Sequence, residues 1–140
     1  MASQLILLLI LGVPSAALVS VAVHTVRTLR AGLRLKTSGI STNGQCVSLA
    51  WREDEVSVRF SYALPDGTKH EADSFWMSRT STCPGTTVSL VYDPASPESA
   101  ELTECLEPAI RFRRRVLLGV VPVLVLFAAF DTIVLLALVL

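Results

Sequence analysis

The sequence predicts a membrane α+β protein, in which two transmembrane helices flank a small antiparallel β-barrel or sandwich domain. Three observations carry that expectation. Long apolar runs occupy residues 4–23 and 116–140, the first uncharged and the second interrupted only by Asp131. Basic side chains gather where each run meets the middle of the chain: Arg27, Arg30, Arg34 and Lys36 on one side, Arg111, Arg113, Arg114 and Arg115 on the other. The stretch between them has an ordinary soluble composition and alternating apolar residues, although 51% of the whole chain is hydrophobic. The expected organisation is a helix (4–23), a basic juxtamembrane segment (24–36), a β-domain (37–107), a second basic juxtamembrane segment (108–115) and a second helix (116–140).

The first run, QLILLLILGVPSAALVSVAV, is long enough at ~1.5 Å per residue to cross a hydrocarbon core of ~30 Å. A cleaved signal peptide is its rival, with Ser20-Val21-Ala22 as a cleavage site. That reading lacks a basic n-region, because residues 1–4 carry no positive side chain. Cleavage would also leave Arg111–Arg115 on the translocated side, against the positive-inside rule. The same rule places the β-domain in the cytoplasm and both termini outside a cell membrane crossed twice. Gly12, Ala16 and Ser20 form a small-residue stripe that lets backbones approach closely, within the chain or between chains. An Ala-rich composition produces such triplets by chance as well.

Charge sorts the partners. The basic collar suits anionic lipid headgroups, at about 1 kcal/mol for each Lys or Arg near the surface. The middle segment is acidic, with Glu53, Asp54, Glu55 and a run of later carboxylates, so it repels nucleic acid. Membrane lipids, together with a protein partner or a second copy met through the helices, are the expected contacts. Cys46, Cys83 and Cys105 contain no C-x-x-C pair, and three is an odd number for a disulfide framework. Reduced thiols fit a cytosolic domain, and a metal or redox role is disfavoured on this spacing.

The middle segment reads as strands. Val56, Val58, Phe60, Tyr62 and Leu64 alternate with Ser57, Arg59, Ser61 and Ala63, the period of a half-buried strand. Pro65-Asp66-Gly67 reads as a turn, followed by a return strand over residues 69–75. Further strands are expected over 46–51, 86–92 and 100–103, with linkers at 37–43 and 103–108. Trp51, Phe75 and Trp76 are read mainly as core, with one of the adjacent Phe75 and Trp76 facing outward.

Gly39, Gly44-Gln45-Cys46-Val47, the Val-x-Val-x-Phe strand, Asp66-Gly67 and the run PGTTVSLVYDPASPESAEL follow an order that resembles a bacterial family, the domain of unknown function numbered three-five-nine-two. The resemblance covers residues 39–102 and is most specific from Gly85 to Pro97. Gln45-Cys46 stands where that family usually has small or charged residues. The resemblance implies a membrane location and a small β-domain between helices, and no activity. Read without it, Tyr92-Asp93-Pro94 is a strand end: Asp93 bonds its own backbone and Pro94 stops the ladder.

No nucleophile elbow, phosphate loop, H-E-x-x-H motif or cysteine pair is present, and His24 and His70 stand alone. No catalytic, cofactor or metal residue is assigned. The leading functional expectation is a non-catalytic, membrane-anchored interaction or scaffolding module at the cytoplasmic face. An accessory subunit of a transporter or pore comes second and an enzyme third. The sharpest candidate is Asp131, about 5 Å from the middle of the second run at 1.5 Å per residue. Matching depths in an antiparallel hairpin set it near residues 12–15. There Pro14 leaves the Ile10 carbonyl without its helical donor, and Ser15 offers a hydroxyl. Asp131, Gly12, Pro14, Ser15, Ala16 and Ser20 are therefore the expected helix-contact residues.

Overall fold

A computed structural model describes residues 2–139, with side chains at residues 6, 9, 10 and 12–137. The chain runs through helix α1 (Ala2–Ser38), strands β1 (Ile40–Arg52), β2 (Glu55–Ala63), β3 (Lys69–Asp73), β4 (Thr87–Asp93) and β5 (Ser96–Leu102), and helix α2 (Thr103–Val139). It forms two compact units. One is Arg30–Arg111 and holds the sheet; the other combines the remainder of α1 with the remainder of α2.

The expected fold class is corrected in two respects. The β-domain is neither a closed barrel nor a sandwich. It is one antiparallel sheet in the order β3-β2-β1-β4-β5, curled until its edges β3 and β5 come close. Single side chains, not a backbone ladder, span that seam. The Glu101 carboxylate accepts from Phe75 N at 3.0 Å and from Leu102 N at 3.1 Å. The Tyr62 hydroxyl donates to the Pro97 carbonyl at 2.5 Å. Pro97 has no N–H to give a neighbouring strand, which suits the edge position it occupies.

The expected pair of spans is also corrected. Among the described residues one helix, Thr103–Ala137, is long and apolar enough to cross a membrane. The expected first span, residues 4–23, lies within α1, but the side chains of residues 4, 5, 7, 8 and 11 lie outside the described ones. Both basic segments are helical, and the expected linkers are not loops. α1 continues to Ser38, β1 begins at Ile40, and α2 begins at Thr103.

Alternation sets the sheet's core. Val58, Phe60 and Leu90 are fully buried and Val88 nearly so, joined by Cys46, Tyr62, Tyr92, Leu102 and Cys105. The Pro65–Gly67 turn closes as its residue types require. Leu64 N donates to Thr68 O at 2.8 Å, and Gly67 sits at φ 89°. Asp93 is buried and accepts from Ala95 N at 2.9 Å, turning the chain from β4 into β5. Trp51 departs from the core expectation, because it is 66% exposed near the tip of the β1–β2 hairpin.

Gly44 is required where β1 crosses the core. A Cβ there would overlap the Ser61 carbonyl and the Leu90 side chain. Gly44→Ala is therefore expected to destabilise the sheet by about 1–3 kcal/mol, the usual cost of overpacking. A urea titration of the intact chain in detergent reads this as a lower midpoint, and an unchanged midpoint would mean that β1 moves aside freely.

Candidate functional site

Two features stand out: the polar pair inside the helical unit, and the basic residues at its end. Within that unit the two helical segments run antiparallel, since Ser15 meets Asp131 while Thr28 meets Arg113. Ser15 Oγ donates to Asp131 Oδ2 at 3.2 Å. Asp131 Oδ1 is buried with no hydrogen-bond partner among the described residues, so the Ile10 carbonyl is not its partner.

The less exposed side chains explain the pairing. On α1 they recur as Ser15, Leu18, Ala22, Thr25 and Leu29; on α2 as Val116, Val120, Leu124, Phe127, Asp131 and Val134. Steps of three and four keep each set on one helix face. Gly12, Pro14, Ala16 and Ser20 lie off this stripe and are exposed. A Cβ at Gly12 would meet nothing within 4 Å. Of the six expected helix-contact residues, Asp131 and Ser15 are brought together and the other four are not. The missed residues, Thr25 and Leu29 among them, were findable from heptad spacing alone.

The eight basic residues divide by environment. In the helical unit Arg113 is half-buried and its Nη1 donates to the Thr28 carbonyl at 3.2 Å, while Arg27, Arg114 and Arg115 are exposed. In the sheet unit Lys36 forms an ion pair with Glu107, joining the two helix ends that enter that unit. Arg30, Arg34 and Arg111 there are exposed. The exposed arginines make no ion pair among the described residues and point their charge into the surroundings.

The sheet carries shallow grooves of mixed polar and apolar lining. One of about 340 Å³ runs along Asn43, Gln45, Ser61, Lys69 and Thr87. Another of about 370 Å³ lies by Thr82, Thr87, Ser89 and Glu104. A third, about 310 Å³, has Ser48, Ala50 and Ser57 among its lining, with the Arg59–Asp73 pair and Trp76. Arg59 holds Asp73 through two hydrogen bonds of 2.9 and 3.1 Å, and keeps its carboxyl below the usual range. Arg52 stacks over Trp76, 5.7 Å from the ring centre. His70 stacks on Tyr62 at 5.9 Å, and His24 is exposed at the helical unit's basic end. Among the described residues no group of three or more His, Cys, Asp or Glu side chains is arranged to hold a metal ion.

No family model, curated protein or solved structure matches this chain.

Proposed function

We propose that this chain is a non-catalytic β-module, held in the cell membrane by α2, that meets a protein partner at the cytoplasmic face. The observation that carries the reading is the surface of α2. Leu118, Val125, Leu126, Ile133 and Leu135 are each more than 60% exposed. Such a continuous apolar surface is costly in water and at home in lipid. Residues 116–137 extend about 33 Å at 1.5 Å per residue, the thickness of a hydrocarbon core. Arg111 and Arg113–Arg115 stand immediately before them, and positive-inside then keeps that end, with the sheet unit, in the cytoplasm. Trp51 supports the partner. Trp51 is exposed near the tip of the β1–β2 hairpin, and tryptophan is among the residue types enriched at the anchors of protein interfaces. Kinship with the three-five-nine-two family belongs to this proposal, on the Gly85–Pro97 pattern.

Cys83 tests the placement, because it is exposed while Cys46 and Cys105 are buried. A membrane-impermeant maleimide should leave it unlabelled in sealed, right-side-out vesicles and label it after permeabilisation. Labelling of sealed vesicles would contradict the cytoplasmic side. Trp51→Ala should abolish recovery of a defined complex from detergent extract without changing the labelling.

One observation favours the second reading, an accessory subunit of a transporter or pore: Asp131 brings an unsatisfied carboxylate oxygen into an apolar helix. Such groups in membrane helices usually face protein or a water-filled path. Asp131→Leu is expected to ease insertion of α2 by about 2.5–3.5 kcal/mol and to forfeit the Ser15 bond, worth ~0.6 kcal/mol. Asp131→Asn, which can still accept from Ser15, should keep the helix contact. Equal insertion of aspartate and leucine would mean that position 131 does not sit at lipid depth.

A further inference from the structure

Cys46 and Cys83 are 37 positions apart in the sequence, yet the fold brings their segments together. The loop ahead of β4 lies across Cys46 of β1. Gly85 N donates to the Cys46 carbonyl at 2.8 Å, and Cys46 N donates to the Thr86 carbonyl at 2.9 Å. Two loop residues thus oppose one strand residue, in a bulge whose glycine sits at φ 87°. Cys83 opens the turn that ends this loop. Thr86 N donates to the Cys83 carbonyl at 3.1 Å, closing a turn with Pro84 and Gly85 at its corners. A four-residue turn keeps its end Cα atoms within about 7 Å, and Cys46 faces the last residue of this one.

The two thiols differ in the way a redox pair needs. Cys83 is open to solvent, whereas Cys46 is 2% exposed, its thiol directed to the Ser48 carbonyl at 3.8 Å. Burial pushes the Cys46 thiol up from its ordinary value, and the nearby Cys83 thiolate pushes it further. An accessible thiol beside a sheltered one is the arrangement in which oxidation of the first is resolved by the second.

We propose that Cys46 and Cys83 form a reversible disulfide when a peroxide oxidises Cys83. The Cys83 thiolate attacks one peroxide oxygen, the O–O bond breaks, and the departing hydroxide takes up a proton to become water. Cys83 is then a sulfenic acid. The Cys46 sulfur, giving up its proton, attacks the Cys83 sulfur; the S–S bond forms, the S–O bond breaks, and the hydroxide leaves with that proton as a second water. Two thiols have lost two electrons and two protons, and one peroxide has become two waters. A dithiol reverses the bond by exchange. Because the sheltered thiol ionises above its ordinary range, closure quickens as pH rises. The bond would pin the Cys83–Thr86 turn onto β1 beside the two grooves that share Thr87, tying the sheet surface to the edge of the core at Cys46.

The test oxidises the reduced, detergent-purified full chain with hydrogen peroxide, then unfolds it, alkylates it and maps its peptides. The expected result is a fall from three alkylatable thiols to one, Cys105, with a Cys46–Cys83 cross-linked peptide that dithiothreitol removes. Cys105→Ser should keep the cross-link, and Cys83→Ser should lose it while Cys46 stays alkylatable. The proposal is overturned if wild-type Cys83 instead proceeds to sulfinic acid or to an intermolecular disulfide while Cys46 remains fully alkylatable. That readout needs no variant, so a poorly folding Cys46 substitution cannot obscure it.

Discussion

Phe60→Ala is expected to cost the sheet unit about 3–5 kcal/mol, the range for deleting a buried phenylalanine. Phe60 is fully buried in β2, opposite Cys46 on one side and Ala72 on the other, with its ring 6.0 Å from that of Tyr62. Its removal opens a cavity among residues from every strand of the sheet. A small domain has a net stability of only about 5–15 kcal/mol, so this one change removes much of it. Trp51→Ala is the natural comparison, since an exposed side chain should matter by no more than about 0.5 kcal/mol. Urea unfolding of the intact chain in detergent measures both. Equal midpoints for the two variants would mean that the core does not lie where β1 and β2 pair.

Changing Arg111, Arg114 and Arg115 together to glutamine is expected to weaken contact with anionic lipid by about 3 kcal/mol, at about 1 kcal/mol per residue. Arg113 is left in place because it serves the Thr28 carbonyl. The larger consequence is orientation. With three of the eight collar charges removed, the positive-inside bias weakens, and a fraction of chains should expose Cys83 to an impermeant maleimide in sealed vesicles. Binding to anionic vesicles reads the first effect and the labelled fraction reads the second. No change in either would show that the run is incidental.

Where local pattern and tertiary structure agree, the fold was legible. β2 announces itself by period-2 alternation, and the Pro65–Gly67 turn by its residue types. The first half of β1 was hidden, because Ser41, Thr42, Asn43 and Gly44 read as loop. They are strand because β4 pairs with them from Val91 back to Val88, and because Gly44 admits a close approach that a side chain would block. The first half of β5 was equally hidden, since a strand was expected only from residue 100. Ser96, Pro97 and Glu98 carry little strand preference, and only an edge position tolerates Pro97. The near-closed seam depends on single side chains, Glu101 and Tyr62, which no periodicity marks.

The candidate sites divide in the same way. Depth matching along two antiparallel helices brought Ser15 and Asp131 into one expectation, and they do meet. The small-residue stripe lies off the contacting face, because composition makes such triplets without packing. The Lys36–Glu107 pair and the approach of the Cys83 loop to Cys46 are consequences of the chain's return, and neither has a spacing signature.

Alkaline carbonate extraction of membranes carrying the full chain tests membrane anchoring by α2 most directly. Peripheral contacts between arginines and lipid headgroups do not survive that treatment, whereas a spanning apolar helix does. The chain is predicted to remain in the pellet, and to stay there when Arg111, Arg114 and Arg115 are glutamine. Release of the wild-type chain into the supernatant would contradict a spanning α2 and leave its exposed apolar face to be covered by protein.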